Sequence, residues 1–190
     1  RVKRYRSYRG PVGKKAPNLL ARDFRATKPN TKWATDVTEF KVQGRKLYLS
    51  PVMDLFNGEI LAYELRDRPV LPMVTEMLKK ALRRLKQGTS PVVHSDQGWH
   101  YQHPEYCRML EEKGLTQSMS RKGNCLDNAA MESFFGTLKS EFYYLNRFDS
   151  VEQLRHGIEQ YIDYYNHHRI RLTLNGLTPV EYREQAAAAA

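Results

Sequence analysis

Residues 33–66 read WATDVTEFKVQGRKLYLSPVMDLFNGEILAYELR, and this stretch decides the fold class. WATDVTEFKV, KLYLSPVMDL and GEILAYELR are each rich in β-branched and aromatic residues, as strands are. Asn57-Gly58 between the last two runs reads as a hairpin turn. Three antiparallel strands in a row are predicted. Downstream the pattern changes. Residues 70–87 place Met73, Met77, Leu78, Ala81, Leu82 and Leu85 at helical spacing and end near Gly88. PVVHSD is a short apolar run suited to a buried parallel strand. A helix is predicted over 104–113, opened by Pro104 and closed by Gly114, and LTQSMS reads as another strand. SRKGNC is a polar loop, after which Asp127 is predicted to cap a long helix reaching about Tyr144. Residues 150–168 form a further helix with Ser150 as its cap, RLTLNGLTP a loop, and TPVEYREQ a short terminal helix. The order predicts a mixed sheet flanked by helices.

Upstream of Trp33 the chain is different. Residues 1–32 hold eleven basic residues and one acid, Asp23, whereas 33–190 hold twenty of each, so the whole net charge of +10 sits in the first segment. Tyr5, Tyr8 and Phe24 interleave with the cations, Pro11, Pro17 and Pro29 punctuate the run, and no hydrophobic period survives. An extended arm lying along phosphates is expected; a solubilising linker is the plainer reading. The 190 residues suit one or two compact units, and 41% apolar with 27% charged residues is globular composition. No apolar run is long enough to span a membrane, and no signal-peptide pattern opens the chain. Two cysteines, Cys107 and Cys125, exclude a disulfide scaffold and fit a reducing cytoplasm. A first residue that is not Met suggests a piece of a longer protein. The expected organisation is an arm (1–32), a core (33–148), a helical extension of that core (149–185) and an alanine tail (186–190) that is a tag or unassigned residues.

Three acids stand out. Asp36 sits inside a strand-like run, where Asp is poorly suited. Asp96 closes VVHSD at its carboxyl end, where open α/β sheets place ligand sites. On a helical wheel Met131, Phe134, Phe135, Leu138, Phe142 and Leu145 share one arc, and Glu132, Gly136 and Lys139 lie at its edge. Glu132 therefore leans over the sheet. Converging carboxylates repel unless something positive stands between them, and hard divalent cations with oxygen ligands meet that need. Two such ions can activate an attacking oxygen and stabilise a leaving one on a phosphodiester. The same residues also admit a plainer reading, with Asp36 and Asp96 as turn or cap residues and Glu132 as a solvated helix residue.

The element order resembles the ribonuclease-H-like layout, a five-stranded mixed sheet in which the first and fourth strands are neighbours. WATDVTEF, VVHSDQGWHYQ and MSRKGNCLDNAAMESFFGTLKSE resemble the three acidic motifs of OrfB-type insertion-sequence transposases, within the Asp-Asp-Glu transposase and retroviral-integrase superfamily. Thirty-five residues separate Asp96 from Glu132, the spacing that superfamily uses. YIDYYNHHRIRLTLNGLTPVEYR is similar to the family's C-terminal signature, and the segment from Pro17 resembles its connector from a helix-turn-helix region that is missing here. The resemblance implies a catalytic core that cuts transposon-end DNA and joins a DNA 3′-hydroxyl to target. Asp36, Asp96 and Glu132 would hold two Mg²⁺ ions, with Mn²⁺ as substitute. It implies double-stranded DNA as partner, at least two copies acting together, no membrane, and a bacterial cytoplasmic, nucleoid-associated location.

Expected DNA contacts are Lys139, Arg121, Lys122, Asn124 and, in the arm, Arg4, Arg6, Lys14 and Lys15. Lys139 lies two turns after Glu132 on its face; an ordinary surface lysine is the alternative. His94 flanks Asp96, but strand alternation makes a structural role at least as natural. His100, His103 and Cys107 lack a nearby fourth ligand for zinc. His167, His168 and Arg169 suggest a tyrosine recombinase without explaining the acids. No glycine-rich nucleotide loop occurs, so no ATP use is expected. A same-fold nuclease and a non-catalytic DNA-binding module are the alternative functions.

Overall fold

The computed structural model describes residues 13, 15–86, 88–121 and 125–189. The chain runs through β1 (Lys32–Thr35), β2 (Thr38–Val42), β3 (Arg45–Asp54) and β4 (Ile60–Arg66), then α1 (Leu71–Arg83), β5 (Val92–Ser95), the single turn α2 (Trp99–Gln102), α3 (Pro104–Glu112) and β6 (Thr116–Met119). A 3-10 turn, Cys125–Asn128, leads into α4 (Ala129–Leu138), followed by α5 (Val151–His167) and α6 (Pro179–Ala188).

The sheet is mixed, as expected, but has six segments instead of five. β1 and β2 both pair antiparallel with the same side of β3, in one unbroken register: Thr35 faces Val52 and Thr38 faces Leu49. The ladder fails only at Asp36–Val37. The register sets Pro51 opposite Asp36, and proline has no N–H to give. The Pro51 carbonyl instead accepts the Thr35 hydroxyl at 2.8 Å. β4 flanks β3 on its other side, while β5 runs parallel between β1 and β6. The first and fourth expected strands are thus neighbours.

Alternation along the strands feeds two cores. Ala34, Phe40, Leu47, Leu49 and Met53 pack against Phe134, Leu138, Leu154 and Ile158 of α4 and α5. On the opposite face Trp33, Val52, Ala62 and Val93 pack against Val74, Met77, Leu78 and Leu110 of α1 and α3. No described helix is long and apolar enough to cross a membrane.

The hairpin at Asn57-Gly58 holds, and three local expectations fail. The hairpin loop spans 55–59, closed by Asp54 N–H on the Glu59 carbonyl at 2.9 Å, with Gly58 at φ +76°. Helix α1 stops at Arg83, and the Arg84 guanidinium turns back to the Leu61 carbonyl and Glu59. Asp127 caps nothing: Asn128 is the N-cap of α4 and makes no side-chain cap bond. Finally, the helix does not continue regularly to Tyr144. Lys139–Tyr143 winds as a π-turn. The helix ends there with Tyr144 as its C-cap, and Leu145, expected on the buried arc, lies beyond it and is 74% exposed. Ser150 does cap α5, accepting from Gln153 N–H.

The arm is not free along its described length. Met119 N–H donates to the Pro17 carbonyl, Leu19 N–H to Ser118 Oγ, and Leu20 is buried.

Candidate active site

Ala34 and His94 are paired across β1 and β5, so Asp36 and Asp96 stand side by side just past the carboxyl ends of two parallel strands. The ladder break at Pro51 takes Asp36 out of sheet pairing. Its Oδ1 accepts Val37 N–H at 2.7 Å and its Oδ2 accepts Asn128 Nδ2 at 3.0 Å. Asp96 Oδ1 accepts Gly98 N–H at 2.9 Å. A Cβ on Gly98 would come within 2.8 Å of that oxygen, so the close wrap of the loop needs a glycine there. Burial first, and then the neighbouring Asp96 charge, push the Asp36 carboxyl up to about 7; its two hydrogen bonds pull the other way, and Glu132 adds further repulsion. Beneath the pair, the buried Tyr101 hydroxyl lies 3.4 Å from Thr35 Oγ1. Burial and the fields of Asp36 and Asp96 raise its pKa and keep it neutral.

Glu132 stands in the first turn of α4, exposed, four residues after Asn128. Asn128 is itself buried, and its Oδ1 has no hydrogen-bond partner. As the side chains lie, no three His, Cys, Asp or Glu among the described residues close a metal site. The donor set nevertheless suits a hard cation in kind. It consists of carboxylate oxygens, one carrying an unfavourable charge, beside an amide oxygen left without a donor.

His94 is fully buried, with Nδ1 at 2.8 Å from Ser118 Oγ and Nε2 at 2.7 Å from the Asp127 carbonyl. Burial lowers its pKa, so it is a neutral strut. Lys139 lies over β2: Nζ donates to Thr38 Oγ1 at 2.8 Å and sits 5.4 Å from the Phe40 ring centre, and burial lowers its pKa. Arg121 is held by Asp127, and Lys15 is exposed. Arg4, Arg6, Lys14, Lys122 and Asn124 lie outside the described residues. His100 meets the Pro69 carbonyl, and His103 caps α3 by accepting Glu105 N–H. Arg169 pairs with Glu141.

Sequence reasoning passed over Pro51, Tyr101, Asn18 and Arg22. Only Pro51 carried a signal, as a proline inside a strand-like run.

Comparison with known proteins agrees with this architecture. The integrase core domain family matches residues 26–125, and a second integrase core domain family matches 132–186. The chain is 60% identical over 185 residues to a putative transposase, InsK, for insertion sequence element IS150 of Escherichia coli, covering 97% of this chain and 65% of that protein. It is 58% identical over 186 residues to an uncharacterized transposase-like protein of Haemophilus influenzae, covering 98% of this chain and 86% of that one. Among solved structures, the HTLV-2 integrase catalytic core domain in complex with magnesium superposes with a TM-score of 0.64 at 18% identity, over 84% of this chain and 99% of that one.

Proposed function

The chain belongs to the integrase core domain family, and from that premise we propose that it is the catalytic core of an insertion-sequence transposase. It would cut DNA at the element's ends and join the freed 3′-hydroxyls to target DNA. The observation that carries the reading is the pairing of Asp36 with Asp96 at adjacent strand ends, their repulsion unrelieved, beside the helix that bears Glu132.

Asp36, Asp96 and Glu132 would hold two Mg²⁺ ions, or Mn²⁺ in their place. The magnesium in the HTLV-2 relative supports a divalent cation. When bound, the ions supply Lewis acidity and neutralise charge on the phosphate in an in-line displacement. The chain's own groups do the positioning. Asn128 orients the Asp36 carboxylate, Gly98 N–H orients Asp96, and Glu132, long and exposed, swings inward. Lys139, Arg121, Lys122, Asn124 and the arm cations Arg4, Arg6, Lys14 and Lys15 would hold phosphates and bases around the scissile bond. Water attacks first and a DNA 3′-hydroxyl second, so no protein nucleophile is needed. At least two copies would bring two ends together, in the bacterial cytoplasm and on the nucleoid.

The test is joining of a pre-cleaved duplex end, carrying the element's own terminal sequence, in Mg²⁺. Asp36→Ala, Asp96→Ala and Glu132→Ala should each abolish joining and leave DNA binding largely intact. A single variant that joins at the wild-type rate refutes the assignment. Hydrolysis without joining in the wild-type protein would mark a nuclease instead.

A further inference from the structure

The Asp127 side chain has no exposed surface, and five donor groups converge on it. Arg121 gives its backbone N–H (3.0 Å), Nε (2.9 Å) and Nη2 (3.0 Å). The other two come from the arm, more than a hundred residues away: Asn18 Nδ2 at 3.0 Å and Arg22 Nε at 3.1 Å. These partners, Arg121 foremost, hold the Asp127 carboxyl well below the usual range.

The backbone of the arm is bent to make this contact. Ala21 and Arg22 have φ of +47° and +70°. Left-handed conformations are unfavourable for side chains with a Cβ and persist only where the surroundings enforce them. Here the enforcing contacts are Ala21 N–H on Asn18 Oδ1 (2.9 Å), Asp23 N–H on the Leu20 carbonyl (2.7 Å), and the buried Leu20 side chain. Beyond the turn, Ser118 Oγ accepts Leu19 N–H and meets His94 Nδ1, and His94 Nε2 meets the Asp127 carbonyl. The next residue, Asn128, donates to Asp36. A continuous run of hydrogen bonds thus leads from the arm to β5, two residues from Asp96, and on to Asp36 and the start of α4.

We propose that Asn18 and Arg22 are positioning residues of the active site, acting through Asp127 to fix the start of the helix that carries Asn128 and Glu132. The proposal rests on Asp36, Asp96 and Glu132 being the reacting acids. With the arm seated, Asp127 is anchored from two sides; with it displaced, Arg121 alone holds the carboxylate.

The experiment is the double substitution Asn18→Ala/Arg22→Ala, with Arg22→Lys as the conservative variant and Asp36→Asn run in parallel. Arg22 is half exposed, so its truncation opens no large cavity. Joining of a pre-cleaved end should lose about tenfold or more in kcat, because small misplacement of reacting groups is expensive, with KM for the DNA end unchanged. In the metal-free protein, amide hydrogen exchange should quicken over 127–132 and stay slow in β1 and β3. Arg22→Lys should recover most of the rate. Unchanged kcat and exchange overturns the proposal. So does a rise in KM alone, which would make these residues DNA contacts, or faster exchange throughout the sheet, which would make them general supports. If Asp36→Asn joins like wild type, the acid assignment has failed, and the exchange measurement alone still decides whether the arm fixes α4.

Discussion

Replacing Asp36 by Asn should stabilise the metal-free protein, and by an amount that depends on pH. The Asp36 carboxyl has an ordinary pKa of 3.8 and is raised to about 7 in the fold. As pH climbs through that window, the unfolded chain gives up a proton that the folded one keeps, so folding loses ground. The full difference is about 4 kcal/mol, reached above pH 7. Asp36→Asn does not titrate, so its advantage over wild type should be nil near pH 4 and approach that figure at pH 8. In a chain of 190 residues this amounts to roughly 8–16 °C in Tm. The site is ready for the amide: Asn128 Oδ1 lacks a partner, and a flip of that side chain would let it accept from the introduced group. Added Mn²⁺ should narrow the gap, because the cation binds the ionised acid. At a hundred times Kd, binding is worth about 2.7 kcal/mol to wild type and less to the variant. Thermal unfolding followed by circular dichroism, in EDTA and in Mn²⁺ between pH 4 and 8, reads all of this. A Tm difference that ignores pH, or an equal Mn²⁺ response in both proteins, refutes the reasoning.

Three further outcomes are expected. Arg183→Ala removes the guanidinium that joins Asp54 Oδ2 (2.7 Å) and Glu59 Oε2 (2.5 Å), two acids with almost no exposure. It should destabilise by about 3–5 kcal/mol in urea unfolding. Two guanidiniums, Arg183 and Arg84, hold the Glu59 pKa below its ordinary 4.5 despite burial, so the deficit should be full above that pH and shrink as acid protonates Glu59 below it; a deficit that stays constant as pH falls from about 5 to about 3 would be the wrong result. Deleting residues 1–16, which stops short of the docked Pro17 and removes seven basic residues, should flatten the log–log salt dependence of DNA binding by about 0.9 for each phosphate that is no longer neutralised; an unchanged slope assigns the DNA surface to the core. Lys139→Ala should keep calorimetric Mn²⁺ affinity and slow joining, with Lys139→Arg recovering much of the rate. Full joining by Lys139→Ala would leave the lysine as a packing residue over Thr38 and Phe40.

The strand pattern of 33–66 was legible because it follows from a period that acts locally, and the pairing of the first and fourth strands because the element order resembles the ribonuclease-H-like layout. Legibility ended where a distant partner overrode a local preference. Asp127 has every mark of a helix cap, yet its carboxylate is taken by Arg121, Arg22 and Asn18. The arm's charge pointed to an extended segment, but Leu20 is buried and the turn at 21–22 is fixed by groups on β6 and before α4. The wheel over 127–144 assumed one pitch, and the π-turn changed it. The meaning of Pro51 emerged only once β3 was set against Asp36, a pairing that depends on register.

Charge partners separate the acids that sequence treats alike. Asp36, Asp54, Glu59 and Asp127 are all largely buried, and Asp54 ends a strand much as Asp36 follows one. Asp54 has Arg183, Glu59 has Arg183 and Arg84, and Asp127 has Arg121 and Arg22. Removing an arginine from such a set strands a buried charge, so these acids are supports. Asp36 has only an N–H and an amide among the described residues, with Asp96 beside it raising its pKa. A fold that supplies guanidinium to three buried acids and withholds it from the fourth leaves that fourth charge to be met from outside. A divalent cation shared with Asp96 would meet it, and only in the ionised state, which the Asp36→Asn substitution removes.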